Sequence, residues 1–508
     1  MSSGTLEVPR HLRSPGEDGY LTPTIEDTLR AQQDARLNGA SQGTRGVARM
    51  HSSALDEALQ RVTSRGTDQT HKFEQYKRGS GDTDGSGGSF DPGEQNGTGL
   101  SRRTTDASAK KLSWKKRIRH VTWAYFTLTM ATGGLANVLS TVPYRFSGLD
   151  MIGTVIFLIN IVLFIIISAM LSLRFYFYPY KFKSSFLHPT ESLFVPAALV
   201  SFGTILINIS QYGPSHAGPW LSEAVGILFW IDAALAVLSS AGIYTLIWST
   251  QTFTIAQMTP VWIFPAYPML IIGPHAGILS SKLAPDRALR IIIGGTTIQG
   301  VGFLMSMMVY SAFIYRLMTQ KLPRENVRPG MFVSVGPSGF TVAGIVNMAA
   351  SAKRCFPPDF MGNGSLAADV IKVVVDFAAL WLWGLAIFFF VVASAAHWSA
   401  IGPGRLDFSM TWFSFVFPNT ALITATFAIG KAFSSKAINI VGIVMVFPLI
   451  LMYIFVCVMM VRAVFTHQIL WPQKGEDRDE GGFEIHRVRP DAEMMEEKRN
   501  RINNGVPV

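Results

Sequence analysis

Residues 121–144 read VTWAYFTLTMATGGLANVLSTVPY, an uncharged and mostly apolar stretch with a glycine pair in its middle. A stretch of about 20 predominantly apolar residues is enough for one helix to cross a lipid bilayer. Similar interrupted stretches begin near Thr190, Thr259, Gly330 and Ser409. These starting points recur roughly every 70 to 80 residues, and such a period indicates an architecture built from repeated units.

An uninterrupted apolar stretch follows each interrupted one, so helix-length segments come in pairs. The chain of 508 residues is 49% hydrophobic and 15% charged, whereas soluble domains carry about 25% charged residues. Strands cannot account for so many long apolar runs. The sequence therefore predicts an all-α integral membrane protein with ten transmembrane helices, arranged as five helical hairpins around a central pore.

The odd-numbered helices of this prediction carry the residues that disturb helical structure. Helix one has the glycine pair, and helices three, five, seven and nine have Pro196, Pro265, Pro337 and Pro418. Proline removes a backbone hydrogen bond and bends a helix. The freed carbonyl is tolerated in a membrane where it is buried or lines a watery cavity. Better packing would explain a single kink, but recurrence on alternate helices favours kinked inner helices that line a pore.

Composition divides the chain into three parts. Residues 1–110 are polar and rich in glycine and serine, which predicts a disordered tail because little apolar surface could be buried. Residues 111–470 hold the ten-helix transmembrane domain, and residues 471–508 form a charged tail. Basic residues near the helix ends are more numerous on the side of the two tails, so both termini are predicted to be cytoplasmic. These residues explain much of the net charge of +10 without a nucleic-acid partner.

The residue types that carry enzymatic chemistry form no recognisable motif. No metal-ligand spacing, nucleophile elbow or phosphate-binding loop occurs, and the 10 histidines do not cluster. The sequence therefore predicts no enzymatic activity, no cofactor and no metal site.

Small polar side chains concentrate on the predicted inner helices. They are hydroxyl and amide groups rather than acids, and this lining suits anions because cation pathways usually carry acidic rings. The candidates for contact with a transported anion are Thr129, Thr132, Ser334, Ser338, Asn419 and Thr420.

Four motifs resemble those of a known family. Residues 122–136, TWAYFTLTMATGGLA, are similar to the first helix of fungal malic acid transport proteins, and residues 188–194, HPTESLF, to the start of their third helix. Residues 336–339, GPSG, and 413–420, FSFVFPNT, resemble the seventh and ninth helices. The resemblance covers roughly residues 115–470 and indicates the C4-dicarboxylate branch of the tellurite-resistance/dicarboxylate transporter family. It implies ten helices in five hairpins, and a homotrimer as in bacterial relatives.

The resemblance and the predicted pore together favour transport across the plasma membrane. The expected substrate is a C4-dicarboxylate anion (malate, with succinate and fumarate as related substrates), and the surrounding partner is membrane lipid. An exporter of sulfite or another small anion on the same scaffold is the alternative. A membrane receptor that signals through its N-terminal tail is a hypothesis from a different class.

Two phenylalanines are predicted to obstruct the pore. Phe417 lies directly before Pro418, and Phe264 lies directly before Pro265 at the corresponding repeat position. A bulky ring beside a kink can close a narrow path by excluding water. The family resemblance implies a gating phenylalanine on helix nine and so favours Phe417. Packing in the core or against lipid is the alternative for both rings.

A positively charged or titratable residue is expected to contact the substrate carboxylates. The planar guanidinium of arginine suits bidentate carboxylate binding, and Arg145 and Arg174 lie at opposite mouths of the predicted pore. His275, inside helix five, is the titratable candidate. Alternatively, the arginines are anchors at the membrane surface, and His275 is a buried residue with satisfied hydrogen bonds.

His188 and Glu191 are predicted to act structurally at the start of helix three. The hydroxyl of Thr190 can cap that helix, and Glu191 in its first turn complements the positive end of the helix dipole. Pairing of Glu191 with a basic residue of the preceding loop, or a role in relaying protons, is the alternative.

The loop after helix seven is predicted to face outside. Asn363 begins an Asn-Gly-Ser glycosylation sequon in this loop. Cys355 is expected in the same loop, within reach of a membrane-impermeant thiol reagent.

Overall fold

The computed structural model describes residues 114–398 and 407–471, and all regular secondary structure in these ranges is helical. Nine helical segments of the described ranges are long and apolar enough to cross a membrane. The predicted all-α membrane fold is therefore confirmed, whereas the count of ten spans stays a prediction. The predicted tail 1–110 lies outside the described residues, as does the predicted tail 471–508 apart from its first residue.

Ten helices of at least 14 residues follow one another in the described ranges. They are α1 (Phe126–Thr141), α2 (Leu149–Phe177), α3 (Ala197–Tyr212), α4 (Trp220–Thr250), α5 (Tyr267–Ser280), α6 (Pro285–Gln320), α7 (Gly336–Cys355), α8 (Gly364–Trp398), α9 (Phe417–Ala432) and α10 (Lys436–Phe465). The odd-numbered helices have 14 to 20 residues, and the even-numbered helices have 29 to 36. Shorter helices precede or connect them at Trp114–Ile118, Tyr180–Leu187, Pro214–Ala217, Ile255–Gln257 and Phe360–Gly362.

Each odd-numbered helix is preceded by a short helical lead-in. The lead-in of α3, Glu191–Phe194, is one α-helical turn, and the other four are 3₁₀ helices: Trp123–Tyr125, Pro260–Ala266, Glu325–Val335 and Met410–Phe415. Proline lies at three of the junctions between a lead-in and its α-helix. Pro337 and Pro418 are the second residues of α7 and α9, and Pro196 directly precedes α3. Proline fits these positions because the first N–H groups of a helix have no intrahelical partner.

The glycine pair of helix one does not break it. α1 runs without interruption through Gly133 and Gly134, so the expectation of a break at this pair is wrong. The pair instead allows close packing, since a Cβ at Gly133 would lie only 3.1 Å from Cβ of Thr204 on α3. Small residues let membrane helices approach each other in this way.

The odd-numbered helices and their lead-ins form a closed ring. We call these five units the ring segments: 123–141, Glu191–Tyr212, Pro260–Ser280, Glu325–Cys355 and Met410–Ala432. In the last four, 72% to 94% of the most apolar stretch is buried, against 22% to 33% in the even-numbered helices. Helices α1, α3, α5, α7 and α9 pack against each other in chain order, and α9 packs back onto α1. Each even-numbered helix packs against the ring segment that precedes it, so exposed apolar helices surround the buried ring.

Candidate functional site

Aromatic side chains from four ring segments meet in what we call the aromatic cluster: Phe194, Phe264, Tyr267, Phe340 and Phe417. The ring centroids of Phe194 and Phe264 are 5.0 Å apart, and those of Phe340 and Phe417 are 5.2 Å apart. All five side chains are buried. Both predicted gate residues, Phe264 and Phe417, therefore belong to one buried group, although they come from different ring segments.

Tyr267 is the centre of this cluster. Its ring stacks on that of Phe264 with centroids 5.1 Å apart, and its centroid lies 6.1 Å from those of Phe340 and Phe417. Its hydroxyl donates to the carbonyl of Val333 at 2.5 Å, which satisfies the polar end of a fully buried side chain. Tyr267 was not among the predicted site residues. Its spacing of three residues from Phe264 is a signal that could have indicated it, because 3₁₀ geometry places such side chains above one another.

Three α-helices begin at the aromatic cluster. α5 starts at Tyr267, α7 at Gly336 and α9 at Phe417. Glycine is needed at position 336, because a Cβ there would lie 2.3 Å from the hydroxyl oxygen of Tyr267. The backbone N–H groups of Tyr267 and Gly336 already donate to carbonyls of their lead-ins. The cluster thus lies where three lead-ins continue directly into α-helices.

The first ring segment reaches the cluster through Gly134. A Cβ at this position would lie 3.3 Å from Cδ2 of Phe417 and 2.7 Å from Oγ1 of Thr420. The hydroxyl of Thr420 donates to the carbonyl of Phe417 at 2.6 Å, which holds the threonine beside the gate candidate. All five ring segments therefore take part in the packing around the aromatic cluster.

Thr129 and Thr132 lie on α1 and are fully buried. The hydroxyl of Thr129 is 2.7 Å from that of Ser201 on α3, and the hydroxyl of Thr132 is 2.9 Å from that of Tyr453 on α10. Thr129 thus joins two ring segments, whereas Thr132 is directed toward a surrounding helix. Contact of either hydroxyl with an anion stays a prediction.

Ser334, Ser338 and Asn419 are buried in the fourth and fifth ring segments. Ser334 is the penultimate residue of the lead-in Glu325–Val335, and Ser338 lies in the first turn of α7. The side-chain amide of Asn419 donates to the carbonyl of Phe415 at 2.8 Å, and its Oδ1 has no hydrogen-bond partner within the described part of the chain. Among the predicted polar residues, Asn419 and Thr420 are the closest in sequence to Phe417.

Arg174 and Glu191 form a buried bidentate ion pair. Nη1 and Nη2 of Arg174 lie 2.5 Å and 3.2 Å from Oε1 and Oε2 of Glu191. The hydroxyl of Ser185 also donates to Oε1, at 3.0 Å. Of the alternatives considered for Glu191, an ion pair with a basic residue that precedes helix three is what the structure contains, and this residue lies near the end of α2. The pair joins α2 to the lead-in that ends at Phe194, and a substrate role of Arg174 stays a prediction.

His188 caps the same lead-in. Its Nδ1 accepts hydrogen bonds from the backbone N–H groups of Thr190 and Glu191, at 3.3 Å and 3.2 Å. Thr190 makes no side-chain capping hydrogen bond, so that expectation is wrong. The reason is its helical backbone, with φ −86° and ψ −45°, because a capping residue normally has an extended backbone.

The other two charged or titratable candidates have separate surroundings. Arg145 lies near the surface after α1, where it pairs with Asp150. His275 is fully buried in α5, with its Nε2 3.5 Å from the hydroxyl of Ser210 and its ring centroid 5.2 Å from that of Phe229. These contacts direct His275 toward α3 and α4. The structure therefore does not gather Arg145, Arg174 and His275 into one site.

The segment after α7 corrects one expectation. Cys355 is the last residue of α7 and is only 2% exposed, so its expected accessibility in a loop is wrong because the helix continues through it. Asn363 is exposed directly before α8, and its Oδ1 accepts a hydrogen bond from the backbone N–H of Leu366 at 3.1 Å. Within the described ranges, no group of three or more His, Cys, Asp or Glu side chains could hold a metal ion.

A ring of buried helices with hydroxyl groups inside and apolar helices outside is typical of membrane transport proteins. The chain belongs to the SLAC1 family, described as voltage-dependent anion channels, whose sequence model matches residues 120–461. It is thus a multi-pass membrane protein and an anion transporter of a family of transporters and channels, not of enzymes.

Named relatives carry two kinds of substrate. The malic acid transport protein of Schizosaccharomyces pombe is 31% identical over 373 residues, which cover 73% of this chain and 85% of that protein. The sulfite efflux pump SSU1 of Trichophyton rubrum is 28% identical over 320 residues, which cover 63% of this chain and 84% of the pump. The pump of the same name from Arthroderma benhamiae matches to the same extent.

Proposed function

We propose that the ring segments surround a pathway for malate and related C4-dicarboxylates. The observation that carries this proposal is the closed ring of buried helices, in which an aromatic cluster and buried hydroxyl groups come together. Hydroxyl and amide groups suit an anion, because cation pathways usually carry rings of acidic side chains. Malate, succinate and fumarate share two carboxylates separated by two carbons, so one pathway can accept all three.

Sequence similarity supports the dicarboxylate over other anions. The match to the malic acid transport protein has 31% identity over 73% of the chain, against 28% over 63% for the sulfite efflux pump of Trichophyton rubrum. The sulfite match nevertheless supports a second candidate, in which the protein exports sulfite or another small inorganic anion through the same ring.

Phe417 is the gate of this pathway, and Phe264 contributes through the shared contact with Tyr267. Apolar rings that meet in a narrow path exclude water and so hold back a hydrated anion. Displacement of the Phe417 ring opens the path beside Gly134, the neighbour without a side chain.

Ten spans in five hairpins complete the proposed architecture. α1 has 16 residues, and with its lead-in Trp123–Tyr125 it approaches the length of about 20 residues that a span requires. In this arrangement both termini are cytoplasmic, the protein lies in the plasma membrane, and exposed faces of the even-numbered helices assemble a homotrimer.

Flux into proteoliposomes that contain the purified protein tests the substrate. Labelled malate is the tracer, and unlabelled succinate, fumarate, sulfite and nitrate are the competitors at two pH values. The proposal expects saturable malate flux that succinate and fumarate inhibit. Sulfite flux without malate flux would establish the second candidate, and absence of flux for all of these anions would contradict both.

A further inference from the structure

An apolar crevice of about 570 Å³ lies outside the ring, between the end of α4 and the middle of α6. Tyr244 and Trp248 of α4 form one wall, with rings stacked 5.3 Å apart. Met305, Val309 and Ala312 of α6 form the opposite wall. Small-molecule sites have volumes of about 300 to 1,000 Å³ and mostly apolar and aromatic linings with few polar groups. The crevice has the size and lining of a ligand site.

The floor of the crevice is made by two ring segments. Leu193 directly precedes Phe194 of the aromatic cluster, and Trp262 lies two residues before Phe264. Trp262 packs against Phe253 with ring centroids 5.1 Å apart. The rim is open to the side that lipid occupies, since Trp248 is 68% exposed and Met308 is 66% exposed. A ligand therefore reaches the crevice from the bilayer.

One end of the crevice is polar and uncharged. Gln251 and Thr252 line it directly after α4, and none of the described lining residues carries a charge. The side-chain amide of Gln251 donates to the carbonyl of Leu187 at 3.2 Å. Its Oε1 is buried and has no hydrogen-bond partner in the described part of the protein. A buried acceptor of this kind is stabilised when a ligand hydroxyl donates to it.

We infer that this crevice binds a sterol of the membrane. The sterol ring system is flat and rigid, which suits packing against the stacked rings of Tyr244 and Trp248, and it loses less conformational entropy on binding than a flexible acyl chain does. Its single hydroxyl is uncharged and can donate to Oε1 of Gln251 when the side-chain amide of Gln251 turns toward the crevice. A phospholipid head group carries a phosphate, for which the lining offers no basic partner.

Photolabelling of the full-length protein in liposomes with a diazirine sterol tests the site. Ala312→Phe fills the crevice, and Ala241→Phe adds the same ring at an exposed position of α4 as the matched control. We expect Ala312→Phe to lower saturable labelling about tenfold, which corresponds to about 1.4 kcal/mol of binding free energy. The control variant is expected to label as the natural protein does.

The competing lipid distinguishes the ligand classes. Unlabelled sterol should compete, whereas a sterol without the hydroxyl, a diacylglycerol and an anionic phospholipid should compete less well. Gln251→Leu should remove the advantage of the hydroxylated sterol over the one without it. Equal labelling of the Ala312→Phe and control variants, or better competition by the phospholipid or the diacylglycerol, would overturn the inference.

An effect on transport is a separate consequence, and it rests on the proposed function. Because Leu193 and Trp262 adjoin two members of the aromatic cluster, bound sterol is expected to support the closed arrangement and lower basal anion flux. Binding that is lost in Ala312→Phe without any change of flux would confirm the sterol site and contradict its link to the pathway. Absence of flux in the natural protein and in both variants would contradict the proposed function and leave the result of the photolabelling unchanged.

Discussion

Phe417 occupies the position in the ring where a change of one side chain should matter most. It contacts Phe340 of the neighbouring fourth ring segment and Tyr267 of the third, and it adjoins Gly134 of the first. We expect Phe417→Ala to raise basal anion flux, because removal of the phenyl group lets water enter the apolar aromatic cluster. Uptake of a labelled anion into proteoliposomes, compared between the variant and the natural protein, measures this change directly.

The matched control for this substitution is Phe388→Ala. Phe388 lies on α8 and is 56% exposed, so its loss removes an equal volume from the surface that faces lipid. Basal flux should stay unchanged in this variant. If Phe417→Ala were expressed and folded normally but carried no additional flux, packing rather than gating would be the role of its ring.

The ion pair of Arg174 and Glu191 gives a second prediction at this scale. Loss of one partner of a buried ion pair destabilises a protein by about 3–5 kcal/mol, because the other charge stays buried without compensation. We expect Arg174→Ala and Glu191→Gln each to lower the thermal stability in detergent strongly. Arg174→Lys should lie between them and the natural protein, since lysine keeps the charge but not the bidentate geometry.

The combined variant Arg174→Met with Glu191→Met is the control for this pair. It removes both charges, so its loss of stability should be smaller than the sum of the two single losses. Additive losses would show that the two side chains are not coupled. If Arg174→Ala instead left stability intact and weakened malate affinity, the substrate role predicted from the sequence would be the correct one.

Residue roles could be predicted from the sequence only where local chemistry decides them. Phe264 and Phe417 stand out because each precedes a proline, and both lie in the aromatic cluster. Tyr267 has no such local mark, because its central place depends on three helices meeting. The partner of Glu191 was equally out of reach, since Arg174 lies 17 residues away on another helix.

At the scale of elements, contacts between backbones control how closely the ring segments pack. A Cβ at Gly344 of α7 would lie 2.7 Å from the backbone carbonyl carbon of Gly273 on α5. We expect Gly344→Ala to lower thermal stability and folded yield, because two backbones must separate to admit the methyl group. Fluorescence-detected size exclusion after heating measures both quantities.

Gly300→Ala is the matched control on α6. A Cβ at this position meets nothing within 4 Å, and replacement of glycine by alanine inside a helix is favourable by up to about 1 kcal/mol. Stability should therefore stay the same or rise. Equal losses in the two variants would mean that contact between α5 and α7 is not what requires glycine.

The helices themselves were predictable, but their internal geometry was not. Pro196, Pro337 and Pro418 lie where lead-ins meet α-helices, because proline fits the start of a helix, and the predicted kinks stay a prediction. The glycine pair of α1 misled, because Gly133 and Gly134 serve packing rather than a break. Glycine permits both outcomes, and only the neighbouring helix decides between them.

At the scale of the whole molecule, cysteine labelling tests the side of the membrane on which each loop lies. Met361, between α7 and α8, is 78% exposed, and Asn326, between α6 and α7, is exposed as well. With cytoplasmic termini, Met361→Cys should react with a membrane-impermeant maleimide in intact cells. Asn326→Cys should react only after permeabilisation. The reverse pattern would invert the proposed topology, and native Cys355 should stay unlabelled in both states because it is buried.

The overall architecture was the most predictable level, because a bilayer leaves few solutions. Long apolar runs must become helices there, and nine described segments meet the length of a span. α1 is the exception, since its 16 residues fall short of that length without the lead-in. Closure of the ring through α9 and α1 depends on contacts between distant parts of the chain, which a linear repeat implies but cannot specify.

The buried pair of Arg174 and Glu191 also has a consequence for synthesis of the protein. Arg174 emerges from the ribosome 17 residues ahead of Glu191. During that interval the guanidinium lacks its carboxylate, and burial of an unpaired charge is strongly unfavourable. Arg174 must therefore wait at the membrane surface, where its long side chain can extend toward water. α2 can reach its final position only when the start of the second ring segment has been made, so this pair couples the insertion of two successive parts of the chain.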